Sequence, residues 1–119
     1  FGGNPLACAA AIAVCDTLSA DRLWDNAGAL GHRIIHRLHR AVGGLDGVVK
    51  IRGRGLMIGI ELDRPCGELV GNALSHGLLI NVTAERVIRL LPPLIYSEPQ
   101  ADELVDTLAP LIRGFLTDD

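Results

Sequence analysis

Ten consecutive residues near the start of the chain, Leu6 to Cys15, carry no charged or strongly polar side chain. A helix of this composition is apolar on every side, so it must be covered on every side, by its own domain or by something else. Asn4 in the N-cap position and Pro5 at the first helical position, where a missing N–H costs nothing, predict that the helix starts there. A run of this length is about half of the roughly 20 residues that a membrane-spanning helix needs, and no membrane partner is expected. With 119 residues the chain is sized for one domain or a piece of a larger one, and it can hardly wrap such a helix by itself.

Charge and composition narrow the partners. The net charge is −3 and aromatic residues make up 3%. Neither a phosphate-tracking basic stripe nor a base-stacking platform is available, so no nucleic-acid partner is expected. Cys8, Cys15 and Cys66 are odd in number and lack a C-x-x-C spacing, which argues against a disulfide framework and a cysteine zinc site and for a reducing, cytoplasmic compartment. No secretory signal pattern opens the chain. It begins Phe1-Gly2-Gly3, and its one methionine is Met57; the expectation is a fragment of a longer protein.

The rest of the sequence predicts an α+β layer, with helices packed on one side of a small, mainly antiparallel sheet. A second helix is expected from the N-cap Asp21 to Val42, with Leu23, Trp24, Ala27, Leu30, Ile34, Leu38 and Ala41 as its apolar stripe. Arg22, Asp25, Arg33, Arg37 and Arg40 mark its wet face, and Gly43-Gly44 is expected to end it in a left-handed turn. Val48–Arg52 and Leu56–Leu62 read as strands separated by Gly53-Arg54-Gly55. Pro65 is expected to open a short helix that Gly77 terminates. Leu78–Val82 and Val87–Leu91 read as two further strands, the last halted by Pro92-Pro93. Ser97 caps a final helix with Leu104, Leu108, Leu111, Ile112 and Phe115 as its stripe and Pro110 as an expected kink.

Few residues invite a chemical reading. Gly2-Gly3-Asn4-Pro5 offers free N–H groups at a helix start, either an anion cradle or an ordinary capped end. Arg89 is more informative, because a single guanidinium interrupts the apolar strand Val87-Ile88-Arg89-Leu90-Leu91. A permanent charge there calls for a carboxylate or phosphate partner, from a ligand or from Glu61 or Glu85, unless it reaches solvent. His32, His36 and His39 share a helix with Arg33, Arg37 and Arg40, which would repel a dication, so no metal site is expected. Lys50, the only lysine, reads as a surface residue. No serine stands in a nucleophile-elbow context.

Three strings in order, Phe1 to Ala10, Arg52-Gly53-Arg54-Gly55-Leu56-Met57-Ile58-Gly59-Ile60-Glu61-Leu62, and Leu79 to Thr83 followed by Val87 to Leu94, resemble the C-terminal part of class III pyridoxal-phosphate aminotransferases. The resemblance implies the C-terminal small domain of a fold type I pyridoxal-phosphate transferase at residues 21–119, preceded at 1–20 by an interface helix that ends the large domain. It implies amino-acid and oxo-acid substrates, a homodimer, and Arg89 as the residue that binds the substrate α-carboxylate. It further implies that the turn at Phe1 and Gly2 reaches the cofactor phosphate of the neighbouring subunit. The segment Arg52–Leu62 is implied to be structural. The Schiff-base lysine, the aspartate on the pyridinium nitrogen and the stacking aromatic of the family match nothing in this chain, which by itself is expected to be inactive. The rival expectation is a free-standing, non-catalytic interaction module.

Overall fold

The computed structural model of the protein describes residues 1–117. Helix α1 (Pro5–Ala20) leads into α2 (Leu23–Val42), the strands β1 (Val48–Arg54) and β2 (Met57–Leu62), helix α3 (Glu68–Ser75), strands β3 (Asn81–Thr83) and β4 (Val87–Leu90), and helix α4 (Glu98–Thr117). The four strands form one antiparallel sheet in the order β1-β2-β4-β3. The α+β architecture expected from the sequence is therefore present. The last two residues of the expected 21–119 domain lie outside the described residues.

Alternation along the strands decides which face of the sheet is covered. Ile51, Ile58, Ile60, Leu62, Ile88 and Leu90 are buried against the helices, while their neighbours in sequence point the other way. Helix α2 lays Ala27, Leu30, Ile34, Leu38 and Val42 on this core, and α4 adds Ala101, Leu104, Leu108 and Ile112. Ile34 and Leu38 are completely inaccessible, and each such side chain contributes about 1.5–3 kcal/mol relative to an exposed position. No polar or charged residue is buried among the described residues.

Helix α1 behaves as its composition dictates. Asn4 caps it, accepting a hydrogen bond from Ala7 N–H at 2.9 Å, and Pro5 is its first residue. None of its residues is buried, with Leu6 82% and Ile12 61% exposed. The helix stands off the body as an uncovered apolar arm, in a molecule 54 Å long and 23 Å thick. No helix among the described residues is long and apolar enough to cross a membrane.

Several local expectations are corrected. Asp21 is not the N-cap of α2; it ends α1, and Arg22 follows in the left-handed region at φ 49°. The pair Arg22–Asp25 at 2.7 Å satisfies the carboxylate of the first turn without a capping side chain. Trp24 shares the α2 stripe but is 53% exposed; burial along α2 begins one turn later, at Ala27, which lies against Gly55 of the β1–β2 turn. Gly43 stays right-handed, and the left-handed residue comes at Gly47. Helix α3 begins at Glu68, three residues after Pro65, and β3 is only Asn81–Thr83 because Leu78 to Ile80 pair with no strand. Pro110 sits within α4 without ending it. Ser97 and Gln100 form the reciprocal cap of α4, Ser97 N–H donating to Gln100 Oε1 at 2.9 Å and Gln100 N–H to Ser97 Oγ at 3.3 Å.

The β1–β2 connection is a hairpin. Arg54 pairs with Met57 across Gly55-Leu56, and Gly55, at φ +56°, is the only one of the two in the left-handed region, as in the II′ turn that suits twisted strands. A Cβ on Gly31 would overlap the carbonyl oxygen of Gly55, so α2 rests on this hairpin through a glycine. The wet face of α2 also proves to be an interface. Arg33 grips Asp102 with Nε at 2.7 Å and Nη2 at 2.8 Å, and Arg37 bridges Asp102 at 2.6 Å and Asp106 at 2.7 Å. These pairs hold α2 parallel to α4. Hydrogen bonds from Arg33 and then Arg37 keep the Asp102 carboxyl well below the usual carboxylate range.

Two outcomes follow from this packing. Gly31→Ala should lower the urea midpoint of unfolding, with the denaturant slope unchanged, by an amount equivalent to roughly 2–3 kcal/mol of overpacking. Because the folded pKa of Asp102 lies below its unfolded value, its contribution is full above the unfolded pKa and is lost as pH falls through the folded one. Thermal unfolding of Asp102→Asn should therefore show a lower midpoint than the parent at neutral pH, the gap narrowing progressively as the pH falls below the ordinary carboxylate value.

Candidate functional site

The face of the sheet turned away from the helices carries the polar residues of the strands. One row across it is Arg52 on β1, Gly59 on β2, Arg89 on β4 and Asn81 on β3, each paired with the next. The adjoining row holds Lys50, Glu61, Val87 and Thr83. Strict alternation puts them there: Arg89 lies between Ile88 and Leu90, both buried, so its own side chain must project to the opposite face. A shallow groove of about 370 Å³ runs over this face, lined by Arg52, Met57, Gly59, Thr83, Val87 and Arg89 among others.

The two guanidiniums of the row are in different states. Arg52 Nη1 donates to Glu61 Oε2 at 2.6 Å, so its charge is matched within the sheet. Arg89 forms no ion pair among the described residues, and neither Glu61 nor Glu85 reaches it. Its row neighbours offer no anionic acceptor: Gly59 has no side chain, and Asn81 is neutral, its Oδ1 accepting from Val82 N–H at 2.9 Å. Arg54 and Lys50 also lie on this face, but on the edge strand β1, where long cationic side chains reach water and protect the edge from further pairing. Arg89 is on an inner strand, with a fork of five donors above a groove. Such a fork matches a carboxylate in two parallel hydrogen bonds.

The turn at Phe1 and Gly2 is elsewhere. Phe1 is fully exposed, and an added Cβ at Gly2 or Gly3 would meet nothing within 4 Å. Gly3, at φ +76°, bends the chain into Asn4, whose Nδ2 donates back to the Phe1 carbonyl at 3.0 Å. This open turn sits at the positive end of α1, outside the groove that holds Arg89. The structure does not bring the two candidate sites together within one copy of the chain.

The other candidates have simpler places. His32, His36 and His39 are exposed on α2, and no group of three or more metal-ligating side chains is found among the described residues. Carboxylates absent from that helical patch are supplied by α4, where they hold Arg33 and Arg37 instead of a cation. Lys50 is exposed. Burial raises the Cys66 thiol above its ordinary value and Cys66 packs within the core, whereas Cys8 and Cys15 are exposed on α1. Sequence reasoning missed Gly59, absorbed into an apolar strand; its signal was a glycine set between Ile58 and Ile60 in the middle of a strand.

Comparison with known proteins bears on what this face does. A sequence model of the family described as aminotransferase class-III matches residues 1–112. Acetylornithine aminotransferase 1 of Bordetella pertussis is 55% identical over 116 residues, which are 98% of this chain and 30% of that protein. Acetylornithine aminotransferase of Nitrosomonas europaea is 46% identical over the same shares. Among solved structures, the ornithine aminotransferase of Toxoplasma gondii superposes with a TM-score of 0.90 at 31% identity, covering 97% of this chain and 28% of that one. The acetylornithine aminotransferase of Elizabethkingia anophelis does so with a TM-score of 0.84 at 36% identity, covering 97% and 31%. The chain thus spans about 30% of the length of the relatives it matches.

Proposed function

The chain belongs to the class III aminotransferases, which are pyridoxal-phosphate enzymes, and we propose that it is the C-terminal part of one that moves an amino group between N-acetylornithine and 2-oxoglutarate, in arginine biosynthesis. In this reading residues 1–20 form an interface helix and 21–119 the small domain of a cytoplasmic homodimer. The single observation that carries it is Arg89, an inner-strand guanidinium over an open groove with no ion-pair partner among the described residues. Amino acids and oxo acids share one group that such a fork grips, the α-carboxylate.

The residues present fit part of a cofactor site. The open Phe1-Gly2-Gly3 turn, at the positive end of α1 and free of crowding side chains, suits a phosphate dianion, and in this reading, as the family resemblance implies, it serves the cofactor site of a second subunit. Pyridoxal phosphate, when bound, would supply an electron sink for the carbon that bears the transferred amino group. A lysine that bonds the cofactor must be partly desolvated to be neutral at working pH, and Lys50 is exposed. This chain's part in the reaction is therefore to bind and orient the substrate, and it is not expected to transaminate by itself. The uncovered apolar α1 is consistent with an interface role.

The choice of N-acetylornithine rests on the relatives that match over nearly the whole chain. Ornithine is the second reading, favoured by the backbone likeness to the Toxoplasma enzyme. In the full-length enzyme, Arg89→Lys should raise KM for donor and acceptor by roughly ten- to a hundred-fold, the loss of one or two charge-assisted hydrogen bonds, with thermal midpoint and cofactor absorbance unchanged. An unaltered KM would overturn the role of Arg89. In a panel of amine donors, preference for unacetylated ornithine would replace the first reading with the second.

A further inference from the structure

Gly59 is the residue of the open face that neither backbone nor packing accounts for. Its φ lies outside the left-handed region, so any residue can adopt its conformation. A Cβ added there would stand 3.4 Å from Val87 Cγ1 and 3.9 Å from Arg52 Cγ, ordinary contact distances. The other strand glycine differs. At Gly53, on the core side, a Cβ would stand 2.8 Å from the Met57 carbonyl oxygen and 2.9 Å from Ile35 Cδ1, so close packing excludes a side chain. Glycine within a strand costs roughly 0.5–1 kcal/mol relative to alanine, and where no described residue crowds its Cβ position, close approach of a ligand is one of the reasons for its presence.

The register says which ligand. Gly59 is paired with Arg89 on one side and with Arg52 on the other. Neighbouring strands lie about 4.8 Å apart, so a side chain at position 59 would rise directly beside that of Arg89, within the groove. The Arg52 stem borders this lane, its Cγ 3.9 Å from a Cβ at position 59, but Glu61 in the adjoining row draws its guanidinium aside at 2.6 Å. We infer that Gly59 is a specificity-determining position: its missing side chain keeps clear the space through which the carboxylate of an amino-acid or oxo-acid substrate descends onto Arg89. This deepens the role given to Arg89 above and rests on it.

The test uses the full-length enzyme with Gly59→Ala, Gly59→Leu, Arg89→Ala and the double variant Gly59→Leu/Arg89→Ala. KM for donor and acceptor should climb with side-chain volume, a few-fold for alanine and about ten-fold or more for leucine, the order expected when a pocket is crowded by one or more methylenes. Thermal midpoint and cofactor absorbance should hold. In the Arg89→Ala background the leucine should add little, because both changes remove the same contact. Gly59→Thr, a good strand former, carries the same expectation should leucine disturb folding. If Arg89→Ala raises KM but neither bulky variant does, or if they raise it equally with and without Arg89, the inference on Gly59 is overturned while the role of Arg89 stands. If Arg89→Ala leaves KM unchanged, the role of Arg89 fails and the inference with it.

Discussion

A four-stranded sheet has two faces, and three helices of this chain cover one of them. The buried row of isoleucines and leucines on β2 and β4 locks onto α2 and α4, and period-two alternation then sends every intervening residue to the other side. A slip of one residue would drive Arg89 into an apolar core that holds no polar group among the described residues, so the register is fixed by hydrophobic burial and the site by the register. Functional placement here is a consequence of core formation.

The arginines of the chain divide according to what surrounds them. Arg33 and Arg37 are absorbed by carboxylates of α4 and serve to set one helix against another. Arg52 is neutralised by a cross-strand glutamate. Arg89 has a glycine on one flank and an already bonded asparagine on the other, which leaves its donors for something outside the chain. Identical side chains thus stand in different states, and the difference that supports the role proposed for Arg89 lies in the acceptors within reach.

Much of this was legible in advance. Element order, a break between two strands near Gly53-Arg54-Gly55, the caps at Asn4 and Ser97 and the apolar arm all follow from local chemistry that acts within a few residues, though the turn itself falls at Gly55-Leu56, with Gly53 and Arg54 inside β1. The boundaries that failed were those where a local signal met a tertiary one. Asp21 is a good cap by type, yet the chain ends one helix on it and turns through a left-handed arginine to start the next. Trp24 has the right spacing for the core but lies one turn before Ala27, where the burial of α2 begins. Leu78 to Ile80 have strand-like side chains but no strand beside them.

By itself the sequence determined that a lone guanidinium interrupts an apolar strand, that an uncovered helix precedes the domain, and that the family strings occur in order, because periodicity and residue type are properties of the chain alone. Only the tertiary structure decided that Arg89 has no ion-pair partner among the described residues, that the Phe1-Gly2 turn lies apart from it, and that Gly59 is unexplained by its own neighbours. Those facts depend on which side chains come within a few ångströms across strands far apart in sequence, and no local pattern encodes such distances.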